Sequence, residues 1–162
     1  YWYLLPHDLI MAQTREETLK GSGISSEEIQ SSVKHIPARQ IIVFLDACKS
    51  GAAVDMFQMF EDQRALALLS RATGVHIAAA AGREQKAYGW KALDHSVFTY
   101  ALLQALGGKA DTEPRDGNIS VREITSYVKK QGPVIAKQHN APDQTPVVLS
   151  RGEDFTVVTR GR

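Results

Sequence analysis

Sulfur is scarce in this chain of 162 residues, which has one cysteine, Cys48, and three methionines. A single cysteine closes no internal disulfide, and the chain suits a reducing compartment. No Cys or His cluster at metal-ligand spacing is present, so neighbouring positions assemble no metal centre. Charge of one sign is lacking too: 19 Lys and Arg stand against 18 Asp and Glu, for a net charge of +1. That balance directs no long-range field toward nucleic acid or an anionic membrane. Apolar runs stop far short of the roughly 18–20 residues that a membrane span needs. The chain opens on Tyr1-Trp2-Tyr3-Leu4-Leu5, without a starting Met or a basic leader, and reads as a piece cut from a longer protein. What is present is an ordinary globular balance, 43% hydrophobic and 23% charged. It fits one cytoplasmic domain with a core of its own, and neither nucleic acid nor membrane is expected as a partner.

Hydrophobic patterning predicts alternating strands and helices. Residues 1–5 read as a short strand ended by Pro6, and residues 6–23 as a loop closing on Gly21-Ser22-Gly23. Ser25 and Glu28 form a capping box, with Ile24 and Ile29 at staple positions, so a helix starts there. Val33 and Ile36 continue its apolar face, and Pro37 stops it. Ile41-Ile42-Val43-Phe44-Leu45 is a β-branched run without alternation, as expected for a central strand of a parallel sheet covered on both faces. After it come a helix over about 56–72, closed by Gly74, and a second buried strand over 75–81. Alanines in that strand permit close helix packing.

Ser96 is placed to cap a helix through Phe98, Ala101 and Leu102, stopped by Gly107-Gly108. A second capping box, Ser120 with Glu123, and the staple pair Ile119 and Ile124 start a helix to about Gln131, broken or kinked at Gly132-Pro133. Two β-rich runs, 146–149 and 155–158, close the chain. The whole implies an α/β sandwich, mostly parallel, with an antiparallel edge at the end.

In open α/β sheets, sites form beyond the carboxyl ends of strands. Cys48 lies three residues past Leu45 in Asp46-Ala47-Cys48-Lys49-Ser50-Gly51. Gly51 permits a tight turn, and backbone amides after the strand, that of Cys48 among them, can hold an oxyanion. Asp46 precedes Cys48 by two residues, so in extended geometry both side chains point the same way. A carboxylate there opposes thiolate formation, and its better use is to recognise a positive substrate group. The plainer reading is a small buried cysteine and a solvated aspartate at a strand end.

Ile-Ile-Val-Phe-Leu-Asp-Ala-Cys-Lys-Ser-Gly resembles the nucleophile strand of metacaspases and bacterial caspase-like proteases, which carry Asp-x-Cys-x-Ser-Gly. Tyr3-Leu4-Leu5-Pro6-His7-Asp8 is similar to the family's Leu-Leu-Pro-x-Asp segment. Glu84-Gln85-Lys86-Ala87-Tyr88 resembles its polar loop after the next strand, and His95-Ser96-Val97-Phe98-Thr99 its Gly-His-Gly-x-Phe-Thr helix start. Asp116-Gly117, Ile119-Ser120, Glu123 and Gln144-Thr145-Pro146 fit its C-terminal region. These pieces run in the family's order across nearly the whole chain.

The resemblance implies that residues 1–162 are the C-terminal portion of one caspase-like peptidase domain. The implied fold is a three-layer α/β/α sandwich with a mostly parallel sheet, its first strands and catalytic His segment missing from this chain. The implied activity is peptide-bond hydrolysis by a Cys-His dyad, with Cys48 as nucleophile and as an oxyanion donor through its backbone. Asp46 would line the substrate pocket and favour Arg or Lys before the scissile bond, with Glu84 assisting. The partners implied are a protein or peptide substrate, the N-terminal part of the domain, and an activating sensor or fused domain. No cofactor is expected; some relatives use calcium, but no calcium site is legible. Asp116-Gly117 with Glu123 echoes a calcium loop, yet Thr112 and Pro114 occupy its first ligand positions.

The departures are specific. True caspases carry Gln-Ala-Cys-x-Gly with a His about 50 residues upstream. Here Asp46 stands for the Gln, Ser50 is interposed, and that His falls before Tyr1. Lys49 follows the nucleophile where many metacaspases have His, and Gly89 or Trp90 stands where relatives often place an acidic residue. None of His7, His35, His76, His95 and His139 is expected to be the base. Two alternatives fit the same residues: a degenerate caspase-fold scaffold or interaction module, and an unrelated α/β domain with a structural cysteine.

Overall fold

The β-branched run before Asp46 forms a strand, and a neighbouring strand covers one of its edges. In the computed structural model, which describes residues 3–5, 14–47, 74–80, 89–90, 94–141, 144–151 and 153–160, this strand is β3 (Gln40–Leu45). It pairs in parallel with β4 (Gly74–Ala79), Ile42 opposite His76 and Leu45 opposite Ala79. On the far side of β4 lies β8 (Val147–Arg151), antiparallel, with Ile77 opposite Leu149. The described sheet therefore has the order β3-β4-β8, one parallel pairing and an antiparallel strand at the edge.

Helices pack on both faces of this sheet. Alternation along β4 sends Ala78 and Ala80 to one side, against α3 (Val97–Gln104) and α4 (Val121–Gln138). Phe98, Ile124 and Val128 are fully buried there. The same alternation sends Ile77 and Ala79 to the other side, with Ile41 and with Val33 of α2 (Ser26–His35). The chain is thus a mixed α/β structure, and its alanines in β4 admit the close helix approach that their size allows. β4, with His76 to Ala79 wholly buried, is the central strand of the described sheet. β3, expected in that role, buries Ile41 but leaves Ile42 to Leu45 half-buried. Its other edge has no strand partner among the described residues.

Smaller pairs surround the sheet. β1 (Tyr3–Leu4) runs antiparallel to β2 (Ile24–Ser25), β5 (Gly89–Trp90) to β6 (His95–Ser96), and β7 (Asn118–Ser120) to β9 (Thr156–Thr159). The last pair supports the start of α4. Ser120 and Glu123 form the expected capping box. Val121 N donates to Phe155 O at 3.0 Å and Arg122 N to Asp154 Oδ1 at 3.0 Å. These bonds satisfy first-turn amides that no helical carbonyl reaches.

Three expectations require correction. Residues 15–22 are not loop but helix α1 (Arg15–Ser22), started by a third capping box in which Thr14 and Glu17 bond reciprocally. Its polar composition conceals it from a periodicity reading. Gly23 ends it, donating to Leu19 O, where an added Cβ would lie 2.7 Å from that carbonyl. Gly74, expected to close a helix, is instead the first residue of β4. The helix expected to break or kink at Gly132-Pro133 does not end there but runs on to Gln138. Buried Val128, Gly132, Ile135 and Ala136 form one continuous face across the proline, and the absent Gly132 side chain makes room for Pro146. Packing on both sides outweighs the lost amide. The helix expected over 56–72 lies outside the described residues.

Candidate active site

The carboxyl end of β3 leads directly into Asp46, which is exposed. Ala80 N bonds Leu45 O at 2.8 Å, so the pairing with β4 continues to the last residue before the site. From the opposite direction, α3 brings its N-terminus to the same place. The turn before it holds Asp94 at φ 57, a left-handed conformation that Asp tolerates better than most side chains. The short strands β5 and β6 pair on either side of Asp94, with Gly89 opposite Ser96. Val97 and Phe98 then enter the core, and their burial fixes the position of the helix end.

Ser96 is the N-cap of α3, its Oγ accepting from Thr99 N at 3.0 Å. The same hydroxyl donates to Asp46 Oδ2, and Thr99 Oγ1 donates to that oxygen at 2.6 Å. One carboxylate oxygen is therefore held by two hydroxyls across 50 and 53 residues of sequence. The helix N-terminus adds a favourable field for negative charge. Among the described residues none donates to Oδ1. Chemically this is a fixed, solvent-facing anion at the carboxyl end of a strand, suited to an ammonium or guanidinium group.

Of the residues singled out from sequence, Asp46 is thus joined to the Ser96–Thr99 segment. Cys48, with its backbone amide, and Glu84 lie outside the described residues, as does His7. The remaining histidines are placed as follows. His76 is wholly buried, Nδ1 2.7 Å from Ser150 Oγ and Nε2 donating to Glu153 O at 3.2 Å, with Phe155 edge-on at 5.7 Å. His35 is exposed, its Nδ1 donating to Ser31 O at 2.6 Å within α2. His95 is exposed in β6, and His139 caps the C-terminus of α4 beside Tyr100. Sequence reading assigned Ser96 a capping role alone and missed Thr99. The signal was there: Ser and Thr three apart at a helix start present both hydroxyls at the N-terminal end.

A cavity of about 730 Å³ lies elsewhere, on the α4 side near Lys109, Glu113, Arg122, Glu123 and Lys130. It includes neither Asp46 nor its two hydroxyl partners. Glu123 Oε2 accepts from Ser120 N there at 2.8 Å, while Oε1 is buried without a partner among the described residues. Burial holds the Tyr127 phenol above its usual pKa, and its hydroxyl donates to Gln104 Oε1 at 3.0 Å. The calcium-like loop folds on itself, Asp111 accepting from the amides of Asp116 and Gly117. Among the described residues no group of His, Cys, Asp or Glu is arranged to hold a metal ion. No described helix is long and apolar enough to cross a membrane.

Comparison with family models, with curated proteins and with solved structures found no match to this chain.

Proposed function

We propose that this chain belongs to a caspase-like cysteine endopeptidase that cleaves after Arg or Lys. In this reading the Cys48 thiolate attacks the scissile carbonyl, and a His outside this chain, in the N-terminal part of the domain, manages the protons. The Cys48 amide stabilises the oxyanion as the tetrahedral intermediate forms. The amine leaves with a proton from that His, and water then hydrolyses the thioester. Asp46 pairs with the cationic side chain before the cleaved bond, and Glu84 adds negative charge to the same pocket.

The observation that carries the proposal is the Asp46 carboxylate, exposed at the carboxyl end of β3 and two residues before the lone cysteine, with one oxygen tied down by two hydroxyls. The ordered resemblance of the surrounding motifs supports it. A second reading has its own support. The two hydroxyl bonds also give Asp46 a purely structural task, tying strand to helix, as a caspase-fold scaffold without activity would retain.

The two readings separate on peptide cleavage by the full-length protein, with Arg, Lys or Asp at the cleaved position. Cleavage after Arg or Lys that vanishes in Cys48→Ala is the expected result. A preference for Asp would keep the protease and overturn the role of Asp46. No turnover of any peptide would leave the scaffold reading.

A further inference from the structure

We infer that Ser96 and Thr99 are positioning residues for Asp46, setting which carboxylate oxygen meets the substrate cation; this rests on the protease reading above. A carboxylate at an exposed strand end rotates readily about its last torsion, which is broad and weakly restrained. Here that rotation is arrested. Ser96 Oγ and Thr99 Oγ1 both donate to Oδ2, the latter at 2.6 Å. Two donors occupy that oxygen's lone pairs and define the carboxylate plane. Oδ1 is then the acceptor left for a ligand.

The donors are themselves fixed. Ser96 Oγ is held by its capping bond from Thr99 N at 3.0 Å. The residues between them, Val97 and Phe98, are each 1% exposed, so the hydroxyls move only if α3 moves against the sheet. Because the first turn of a helix brings residues three apart onto one face, one short segment delivers both donors. Substrate selectivity at the cleaved position is thus set by a carboxylate on one strand and oriented from a helix about 50 residues later in the chain.

The test uses the full-length protein and three peptides, with Arg, Lys or neutral Gln at the cleaved position. Thr99→Val removes one donor at nearly constant shape, and Thr99→Ser restores it. Ser96→Gly removes the other, and glycine is a tolerated N-cap, so a folded variant is available even if Thr99→Val fails to fold. Each deletion is expected to raise KM for the Arg and Lys peptides about tenfold, with kcat changed by less than about twofold and the Gln peptide unaffected. Thr99→Ser should stay near wild type. Combined with Asp46→Asn, Thr99→Val should cost nothing further, since the positioned group is already gone.

If the variants lower Tm but keep the wild-type preference for Arg over Gln, the hydroxyls only latch strand to helix and the inference fails while the protease stands. If wild type shows no cleavage dependent on Cys48, both fail together.

Discussion

The two faces of the β3-β4-β8 sheet are filled differently. Toward α3 and α4, Phe98, Ile124 and Val128 are completely buried and packed against Ala78 and Ala80. Toward α2, the buried set among the described residues is Val33, Ile41, Ile77 and Ala79, and Val43 and Leu45 of β3 are only half-buried. Burial of large apolar side chains is the main source of stability, so among the described residues the α3–α4 face carries more of it. Asp46 follows the strand with the thinner cover yet takes its hydrogen bonds from the first turn of α3. The Asp46 carboxylate is thereby tied to the helix whose Val97 and Phe98 are buried in the larger described cluster.

Substitution tests that contrast in order of size. Phe98→Ala should cost about 3–5 kcal/mol in urea unfolding, and Leu45→Ala roughly 1–2 kcal/mol, because less surface leaves water at Leu45. Equal losses would erase the distinction between the faces. Gly108 lies between α3 and α4 at φ 111, a conformation that L side chains rarely adopt. Gly108→Ala should therefore cost about 1–3 kcal/mol, seen as a lower Tm, although the Arg160 side chain it would meet can swing aside.

The capping boxes sharpen the comparison further. Ser120 is flanked by Ile119 and Ile124, both fully buried, whereas Ser25 follows Ile24, which is 43% exposed. Ser120→Ala should lower stability by about 1 kcal/mol, and Ser25→Ala by less. Acid should act on the α1–α2 side first, with the smallest effect. Hydrogen bonds from Ser25, first through its side chain, hold the Glu28 pKa below 4.5, and the bond and charge of Lys20 do the same for Glu16. For a group whose folded pKa is depressed, the stabilisation is present above the unfolded value and lost as pH falls through the folded one. Helix content of α1 and α2 should therefore drop as pH is taken below about 4.5, with the α3–α4 core signal following later. Circular dichroism alongside near-ultraviolet aromatic signals checks this, and simultaneous loss of both would contradict it.

Much of the framework could be read from local chemistry. Ser25–Glu28, Ser96 and Ser120–Glu123 each announced a helix start at the observed residue, because a cap is a short-range signal. The apolar runs located β3 and β4 to within two residues at either end. Thr14–Glu17 carried the same signal for α1, overlooked because no apolar stripe follows it. Of the break or kink expected at Pro133, the break does not occur, because a proline's cost is local whereas the burial of Val128, Ile135 and Ala136 that overrides it is tertiary. The site was legible only in part for the same reason. Asp46 stood out by its place after a strand, and Ser96 with Thr99 puts two hydroxyls at a helix start, but their meeting across some 50 residues is tertiary and no local pattern carries it.

The central claim is that Cys48 is a nucleophile served by a cation-reading Asp46. The most direct measurement is mass spectrometry of the full-length protein after brief treatment with peptide electrophiles carrying Arg or Asp next to the reactive carbon. The account predicts one adduct, on Cys48, with the Arg reagent, sharply reduced in Asp46→Asn and absent with the Asp reagent. A Cys48 that stays unmodified, or that reacts equally with both reagents, would contradict it.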